Sequence, residues 1–273
     1  VIQQKQKVFY TQKMTLLRSK WEYNSKKLEK HQCNIKCVEQ EYNLYGIFNH
    51  PKHYSIPESV YNYSVNKKGN IAVLREDGTN SERELAAAFY HAGYTVYDIH
   101  TRQLNNNPDL LDTFDGLAFA GGFSFADTLG AGKGWSQIIK QNKKLHAKFQ
   151  EFYENPKKFS IGICNGCQLM AELGWIDCKL LENTSERFES RWTSVKVNKT
   201  NNIFLKHLEG VTFGMWVAHK EGRFSYEHDE NYIPALQYVD NENKPTQQYP
   251  YNPNGSDLAT AAVSSKNGRH LAI

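Results

Sequence analysis

The chain has 273 residues, of which 40% are hydrophobic, so it is long enough to bury at least one full core. Lysine and arginine number 33 and aspartate and glutamate 29, and the net charge of +4 argues against nucleic acid or an anionic membrane as partner. No apolar run approaches the ~18 residues of a membrane span, and the N-terminus lacks a signal-peptide core. Five cysteines, an odd number, argue against a secreted disulfide framework, so we expect a cytoplasmic protein.

Residues 1–69 have a different pattern from the rest of the chain. Helices are predicted over 7–31 and over 37–44, and a stretch that contains proline and tyrosine follows at 49–66. The first helix has apolar side chains at helical spacing, namely Leu17, Trp21 and Leu28. We interpret residues 1–69 as the C-terminal tail of an upstream domain with a linker, and we expect these apolar groups to be partly exposed.

An alternation of strands and helices begins at residue 70. One helix is predicted to start with a capping box at Ser81 and Glu84 and to end at Gly93, and a long helix is predicted through 138–152. The predicted strands cover 71–74, 95–99, 117–120, 159–163, 192–197, 212–217 and 258–264. The pattern predicts an α/β domain over 70–273, with a mostly parallel sheet flanked by helices and a more antiparallel portion after residue 181.

Cys164 lies where an apolar strand ends and a helix begins, between Gly162 and Gly166. Parallel sheets bind ligands at the carboxyl ends of their strands. Cys164 and the glycine pair Gly121-Gly122 are both predicted at such ends. The glycines allow close backbone approach and unusual dihedral angles, as in the strand-to-helix elbow of hydrolases. The partial positive charge at the start of the helix is expected to lower the pKa of the thiol. Cys164 is therefore the candidate nucleophile.

The cysteine pairs allow a second interpretation. Cys164 and Cys167 have the Cys-x-x-Cys spacing of a redox or zinc site, and Cys33 with Cys37 can form another pair. We disfavour a paired site, because Cys33 and Cys37 belong to another segment and a thioredoxin-like module would be much shorter. We favour a small packed residue at Cys167, which lies three residues into the predicted helix. The glycine-rich run at 130–134 fits neither a phosphate loop nor a dinucleotide-binding loop. No metal-ligand set is predicted in this chain.

A nucleophilic cysteine needs a general base to remove its proton. His219 is the best histidine downstream of Cys164 in the sequence. The alternative, a structural or substrate-contacting histidine that follows a strand, is favoured on geometric grounds. The residues alone leave both roles open.

Six segments occur in an order that carries a family resemblance: 74–80, 121–127, 130–135, 162–168, 183–191 and 252–256. Together they resemble the class I (triad-type) glutamine amidotransferases, which have a flavodoxin-like fold, and among these the glutaminase portion of the phosphoribosylformylglycinamidine synthase family. The similarity runs from residue 71 to 273. It extends upstream, where 17–21 and 36–42 resemble the tail of the large synthetase domain of the single-chain enzymes.

The resemblance implies a glutaminase reaction. Thiolate Cys164 would attack the side-chain amide of glutamine, expel ammonia and leave a glutamyl thioester that water hydrolyses. The oxyanion would be bound by two amide donors, the N–H of Asn165 and that of Gly122 or Phe123. Gln168 matches a family position that faces the bound glutamine.

The resemblance also implies a longer protein. In the family, ammonia passes to an upstream synthetase domain that uses ATP and Mg²⁺ to convert formylglycinamide ribonucleotide to its amidine in de novo purine synthesis, so no cofactor is expected in this segment. The family's base and orienting carboxylate are a histidine and a glutamate directly after the strand that matches 268–273. His270 lies on that strand and does not match the catalytic histidine, whereas His219 matches one near the substrate. We expect this chain to be part of a longer polypeptide. The alternative is a domain of the same fold that has lost hydrolysis and kept a scaffold role.

Overall fold

The computed structural model describes residues 2–4, 7–44, 58, 68–227 and 233–273. The helices are α1 (Met14–Gln32), α2 (Ile35–Asn43), α3 (Glu82–His91), α4 (Thr101–Asn106), α5 (Lys133–Gln141), α6 (Lys143–Glu154) and α7 (Asn165–Glu172). The strands are β1 (Ile2–Gln4), β2 (Lys7–Tyr10), β3 (Asn70–Arg75), β4 (Thr95–His100), β5 (Gly116–Phe119), β6 (Phe159–Gly162), β7 (Lys179–Leu181), β8 (Glu189–Val197), β9 (Thr212–His219), β10 (Arg223–Ser225), β11 (Leu236–Tyr238), β12 (Thr260–Ser264) and β13 (His270–Ala272). The linker predicted over 49–66 lies outside the described residues, apart from residue 58. Within the described ranges, no helix has the length and apolar content of a membrane span.

One nine-stranded sheet organises the domain, in the order β4-β3-β5-β6-β13-β12-β11-β8-β9. The strands from β4 to β13 pair in parallel, and those from β13 to β9 pair antiparallel. Strands β3 and β5 read as continuous apolar runs because both faces of a parallel sheet are covered by helices. The predicted α/β fold is confirmed. The sheet is mixed, and its parallel half is the part that alternates with helices.

The two halves of the sheet have separate cores. Aromatic and aliphatic side chains between the parallel strands and helices α5 to α7 form the larger cluster, which includes Phe119, Trp135, Phe149 and Trp175. Trp135 donates its indole N–H to Thr101 Oγ1 at 2.7 Å, so its polar atom is satisfied inside the core. The antiparallel strands bury a second, mainly aliphatic cluster. This packing holds the carboxyl ends of β5 and β6 firmly in place.

Local structure departs from the prediction at several places. The long helix predicted through 138–152 is two helices, because Asn142 leaves the helical conformation (φ −87°, ψ 99°) and its Oδ1 caps α6 by accepting from Leu145 N at 3.1 Å. Ser81 forms no capping box. It has φ 72°, and its Oγ accepts from Gly121 N at 3.3 Å, which joins α3 to the glycine loop. The short strands β1, β2, β7, β10 and β11 were not predicted. The helix predicted over 7–31 was wrong at its start, since Lys7–Tyr10 form β2 and α1 begins at Met14.

Helices α1 and α2 form a segment attached to the side of the domain. The predicted exposure of apolar side chains is confirmed for Leu17, Trp21 and Leu28, and Trp21 is 85% exposed. The contact of α2 with the domain combines buried side chains, Cys37 and Val38, with ion pairs such as that of Arg191 Nη1 and Glu41 Oε1 at 3.2 Å. The segment is therefore attached through α2, whereas α1 leaves large apolar side chains exposed.

Candidate active site

Cys164 occupies the turn between β6 and α7 in a strained conformation. Its φ of 53° and ψ of −108° are dihedral angles that a residue with a side chain rarely adopts. The turn is tight, because a Cβ on Gly162 would lie 2.5 Å from the carbonyl oxygen of Gly166, and one on Gly166 would lie 2.4 Å from that of Phe119. The predicted elbow is confirmed, and it holds the thiol at the carboxyl edge of the sheet.

The backbone N–H groups of Gly122 and Asn165 lie near enough to the sulfur of Cys164 to lower the pKa of the thiol. Both belong to the set predicted to bind an oxyanion. The alternative donor, Phe123, gives its N–H to Gly78 O at 2.9 Å and is already used within the loop. Two amides that converge on one point can stabilise a negative charge that develops there.

The thiol of Cys164 is less acidic than predicted. Burial raises its pKa, the N–H groups of Gly122 and Asn165 lower it, and the nearby charge of Asp127 raises it again. The expectation of a lowered pKa is wrong, because the loss of water around the thiolate outweighs the favourable start of α7. Sγ lies 3.6 Å from Ala218 O, which accepts a hydrogen bond from the thiol. Attack by this thiol therefore requires a base.

The side-chain amides of Asn165 and Gln168 connect three segments around the thiol. Asn165 Oδ1 accepts from Ser124 N at 3.1 Å, and Asn165 Nδ2 donates to Gln168 Oε1 at 2.9 Å. Gln168 Nε2 in turn donates to Glu221 O at 2.8 Å. The chain of bonds fixes the glycine loop, α7 and the loop after β9 relative to one another. Gln168 lines the cavity, but both ends of its amide are bonded within the protein.

His219 lies at the end of β9 beside the same space. Its Nε2 accepts a hydrogen bond from Asn254 Nδ2 at 3.1 Å, and burial lowers its pKa to about 4. A neutral imidazole whose Nε2 is occupied is a poor acceptor for a thiol proton. The geometry therefore favours the structural or substrate-contacting role over that of the base.

A cavity of about 600 Å³ brings the predicted residues together. Its lining includes Gly122, Phe123, Cys164, Gln168 and His219. Asn165 is fully buried at the start of α7, immediately next to the thiol. Much of the remaining wall is apolar and comes from β9 and the glycine loop. The volume suits a small molecule that is mostly enclosed when bound.

A family model described as a CobB/CobQ-like glutamine amidotransferase domain matches residues 68–273. The chain belongs to this family. It is 42% identical to a probable phosphoribosylformylglycinamidine synthase, chloroplastic/mitochondrial, of Arabidopsis thaliana and 40% identical to a phosphoribosylformylglycinamidine synthase of Drosophila melanogaster, with 96% of this chain covered in each case. The matches cover 20% and 21% of those proteins, so the chain spans about a fifth of the length of these relatives.

A solved structure described as PurLQS from Thermotoga maritima resembles the amidotransferase domain. The TM-score is 0.62 at 26% identity, and the match covers 76% of this chain and 86% of that chain. The resemblance predicted from the six sequence segments is confirmed by these comparisons.

Sequence reasoning missed two buried asparagines that hold the loop after β9 of the amidotransferase domain. Asn183 Nδ2 donates to His219 O at 2.8 Å, and its Oδ1 accepts from Gly222 N at 3.2 Å. Asn254 Nδ2 contacts the His219 ring and also donates to Gly222 O at 2.8 Å. Both asparagines belong to segments that carry the family resemblance, and that membership was the available signal.

The cysteines of the amidotransferase give no support to a redox or zinc module. All five are unpaired, and Cys167 is buried in the core, where burial raises its pKa. Within the described residues, the group of three possible metal ligands is Glu76, Asp77 and His100, and it contains no cysteine. These groups already bond within the fold, since Asp77 N donates to Glu76 Oε1 and Arg102 N to His100 Nδ1.

Proposed function

We propose that this amidotransferase domain hydrolyses glutamine at Cys164 and supplies the ammonia to a phosphoribosylformylglycinamidine synthase of which it is the glutaminase part. The observation that carries the proposal is the strained Cys164 at the wall of a cavity, with the N–H groups of Gly122 and Asn165 near enough to its sulfur to lower the pKa of the thiol. Family membership and the names of the relatives support the same activity.

In the proposed reaction, the thiolate of Cys164 attacks the side-chain carbonyl carbon of glutamine, and the N–H groups of Gly122 and Asn165 stabilise the oxyanion. The C–N bond breaks as the leaving nitrogen takes up a proton, which yields ammonia and a glutamyl thioester. Water then adds to the thioester, the C–S bond breaks, and glutamate leaves as the thiol is restored. One pair of donors serves both tetrahedral intermediates.

A general base has to take the thiol proton, because burial raises the pKa of Cys164. The family resemblance implies a histidine with an orienting glutamate directly after the strand that matches 268–273. In support of this, Ile273 O accepts a hydrogen bond from Cys164 N at 2.8 Å. Residues that follow Ile273 in a longer polypeptide would therefore enter the site beside the thiol.

The proposed partner is the synthetase part of the same polypeptide, which would use ATP and Mg²⁺ to convert formylglycinamide ribonucleotide to its amidine. The length of the relatives and the exposed apolar side chains of α1 support such a partner. The cytoplasmic location stays a prediction from composition.

The test compares Cys164→Ala with Cys167→Ala in the full-length synthase. Cys164→Ala should abolish glutamine-dependent turnover and retain turnover with added ammonia, because the thiol serves only the amide-cleaving step. Cys167→Ala should retain both activities, since Cys167 is a packed core residue. Equal losses in the two variants would contradict the proposal and favour a paired-cysteine site.

A further inference from the structure

The peptide between Gly121 and Gly122 carries one of the two N–H groups that converge on the nucleophile. The N–H of Gly122 lies near enough to the sulfur of Cys164 to lower the pKa of the thiol. The carbonyl oxygen of Gly121 belongs to the same peptide and accepts a hydrogen bond from Asn80 N at 2.9 Å. The C=O and N–H of a planar trans peptide point in opposite directions, so this bond turns the N–H of Gly122 away from Asn80. The loop between β3 and α3 therefore sets the direction of the donor.

Further backbone contacts join the loop between β3 and α3 to the glycine loop. Phe123 N donates to Gly78 O at 2.9 Å, and Thr79 and Gly122 form an antiparallel bridge. The two backbones touch directly, because a Cβ on Gly78 would lie 2.2 Å from Phe123 O. These contacts fix the distance between the loops, and the peptide before Gly122 has to be held within that frame.

The hydroxyl of Ser81 adds a side-chain contact to this frame. Its Oγ accepts a hydrogen bond from Gly121 N at 3.3 Å, so the peptides on both sides of Gly121 are bonded to the loop before α3. A Cβ on Gly121 would lie 3.4 Å from Ser81 Oγ and 3.4 Å from the Cβ of Cys164. One glycine therefore separates the hydroxyl from the nucleophile, and Ser81 lines the same cavity.

The conformation of Ser81 is unfavourable for the start of a helix. Its φ of 72° and ψ of 7° lie in the left-handed region, and its hydroxyl does not cap α3 as a serine at this position ordinarily does. The helix itself is well anchored, since the side chain of Leu85 is buried with Val73 and Ala118 and its N–H donates to Ser81 O at 3.0 Å. A fixed helix thus presents a strained residue whose hydroxyl bonds to the glycine loop.

We infer that Ser81 is a positioning residue of the oxyanion site, whose hydroxyl holds Gly121 so that the N–H of Gly122 faces the reacting carbonyl. The inference rests on the proposed glutaminase function. Ser81 acts through Gly122 and exchanges no proton with the substrate. An oxyanion donor contributes most when negative charge develops, so loss of its alignment lowers kcat and changes the KM for glutamine little.

The test is Ser81→Ala in the full-length synthase. Serine and alanine both have a Cβ in the left-handed region, so the substitution removes the hydroxyl alone. The kcat with glutamine should fall about 3-fold to 10-fold, as expected for one neutral hydrogen bond, with the KM for glutamine and the turnover with added ammonia unchanged. Alkylation of Cys164 by iodoacetamide should also require a higher pH, because the N–H of Gly122 lowers the pKa of the thiol. An unchanged kcat, or an alkylation profile that does not move, would overturn the inference.

Two further variants separate the hydroxyl from the backbone. Ser81→Gly also lacks the hydroxyl but relieves the strain, so it should lose kcat as Ser81→Ala does; full activity in Ser81→Gly would overturn the inference. The control is Thr113→Val, which removes an exposed hydroxyl that donates to Leu110 O at 2.7 Å within its own turn and should behave as the unchanged protein. An unchanged synthase that uses ammonia but not glutamine would instead overturn the proposed function itself.

Discussion

The backbone N–H of Cys164 donates to the carbonyl oxygen of Ile273 at 2.8 Å. This bond exists because β13 runs parallel to β6 and ends at the same edge of the sheet, with Ala272 opposite Gly162. Ile273 also lines the cavity. The polypeptide thus reaches the nucleophile at a point where a following side chain would lie next to the thiol.

We expect a polypeptide that continues beyond Ile273 with the family's histidine and glutamate to hydrolyse glutamine about 10²-fold to 10⁴-fold faster than residues 1–273 alone, which is the usual contribution of general acid–base catalysis. The measurement is glutamate release at saturating glutamine. Alkylation of Cys164 by iodoacetamide should also begin at lower pH in the longer polypeptide, because an adjacent imidazole would favour the thiolate. Equal rates of hydrolysis would contradict this and restore His219 as the base.

Gly122 offers a second test. Its φ is 116°, and a Cβ there would lie 2.5 Å from Asn80 N, so Gly122→Ala has to displace the loop and the N–H that faces Cys164. Loss of one oxyanion donor costs about 10²-fold to 10³-fold in turnover. Glutamine-dependent turnover of the synthase should fall by this amount, with ammonia-dependent turnover retained.

The matched control for Gly122→Ala is Gly174→Ala. Gly174 also has a positive φ, of 75°, but a Cβ there meets nothing within 4 Å. Gly174→Ala therefore carries the cost of the left-handed backbone without moving the loop. If both variants lost glutaminase activity equally, backbone strain rather than the N–H of Gly122 would account for the effect.

The elbow at Cys164 could be predicted because its determinants are local. Gly162 and Gly166 lie within two residues of the thiol, and the strand and helix on either side have clear apolar patterns. The same local reasoning failed for Ser81, whose hydroxyl bonds to Gly121 rather than to its own helix. A distant partner overrides a capping pattern when it offers the same hydroxyl a hydrogen bond in the folded state.

The acidity of Cys164 and the support of His219 could not be predicted, because both depend on residues far apart in the chain. Burial of the thiol comes partly from β9, which places Ala218 O against the sulfur. His219 is held by Asn183 and Asn254, which are brought together only in the folded domain. The spacing of residues along the sequence carries no information on such contacts. Both asparagines nevertheless lie in segments that carry the family resemblance.

A substitution of Glu41 tests how the N-terminal helices are attached to the domain. It contacts Arg191 at 3.2 Å and Arg187 at 3.6 Å, and both arginines also bond to the buried Glu189. Glu41→Gln should weaken the attachment of residues 14–44 by about 1 kcal/mol, since it removes a partly buried ion pair. The measurement is the rate of limited proteolysis within this segment, which should rise. Glu39→Gln is the control, because Glu39 is exposed on the same helix and pairs only with Lys30 among its described contacts; equal effects would contradict a specific role for Glu41.

Burial of His270 is expected to lower the free energy of unfolding at acid pH. The ring is fully buried, with Nδ1 2.9 Å from Ser160 Oγ and Nε2 2.9 Å from Tyr153 O, and burial lowers its pKa from 6.5 to about 4. The unfolded chain takes up a proton near pH 6.5 and the folded one only near pH 4, so His270 supports folding fully above pH 6.5 and loses that support as the pH falls toward 4. The loss amounts to about 3 kcal/mol in all, at up to about 1.4 kcal/mol per pH unit.

Urea unfolding between pH 4 and pH 6.5 should show this dependence of stability on pH, with a further contribution from His219. His270→Gln should reduce the slope, whereas a change of the exposed His207 to Gln should leave it as it is. A slope that stays the same in His270→Gln would show that protonation of this ring does not limit stability.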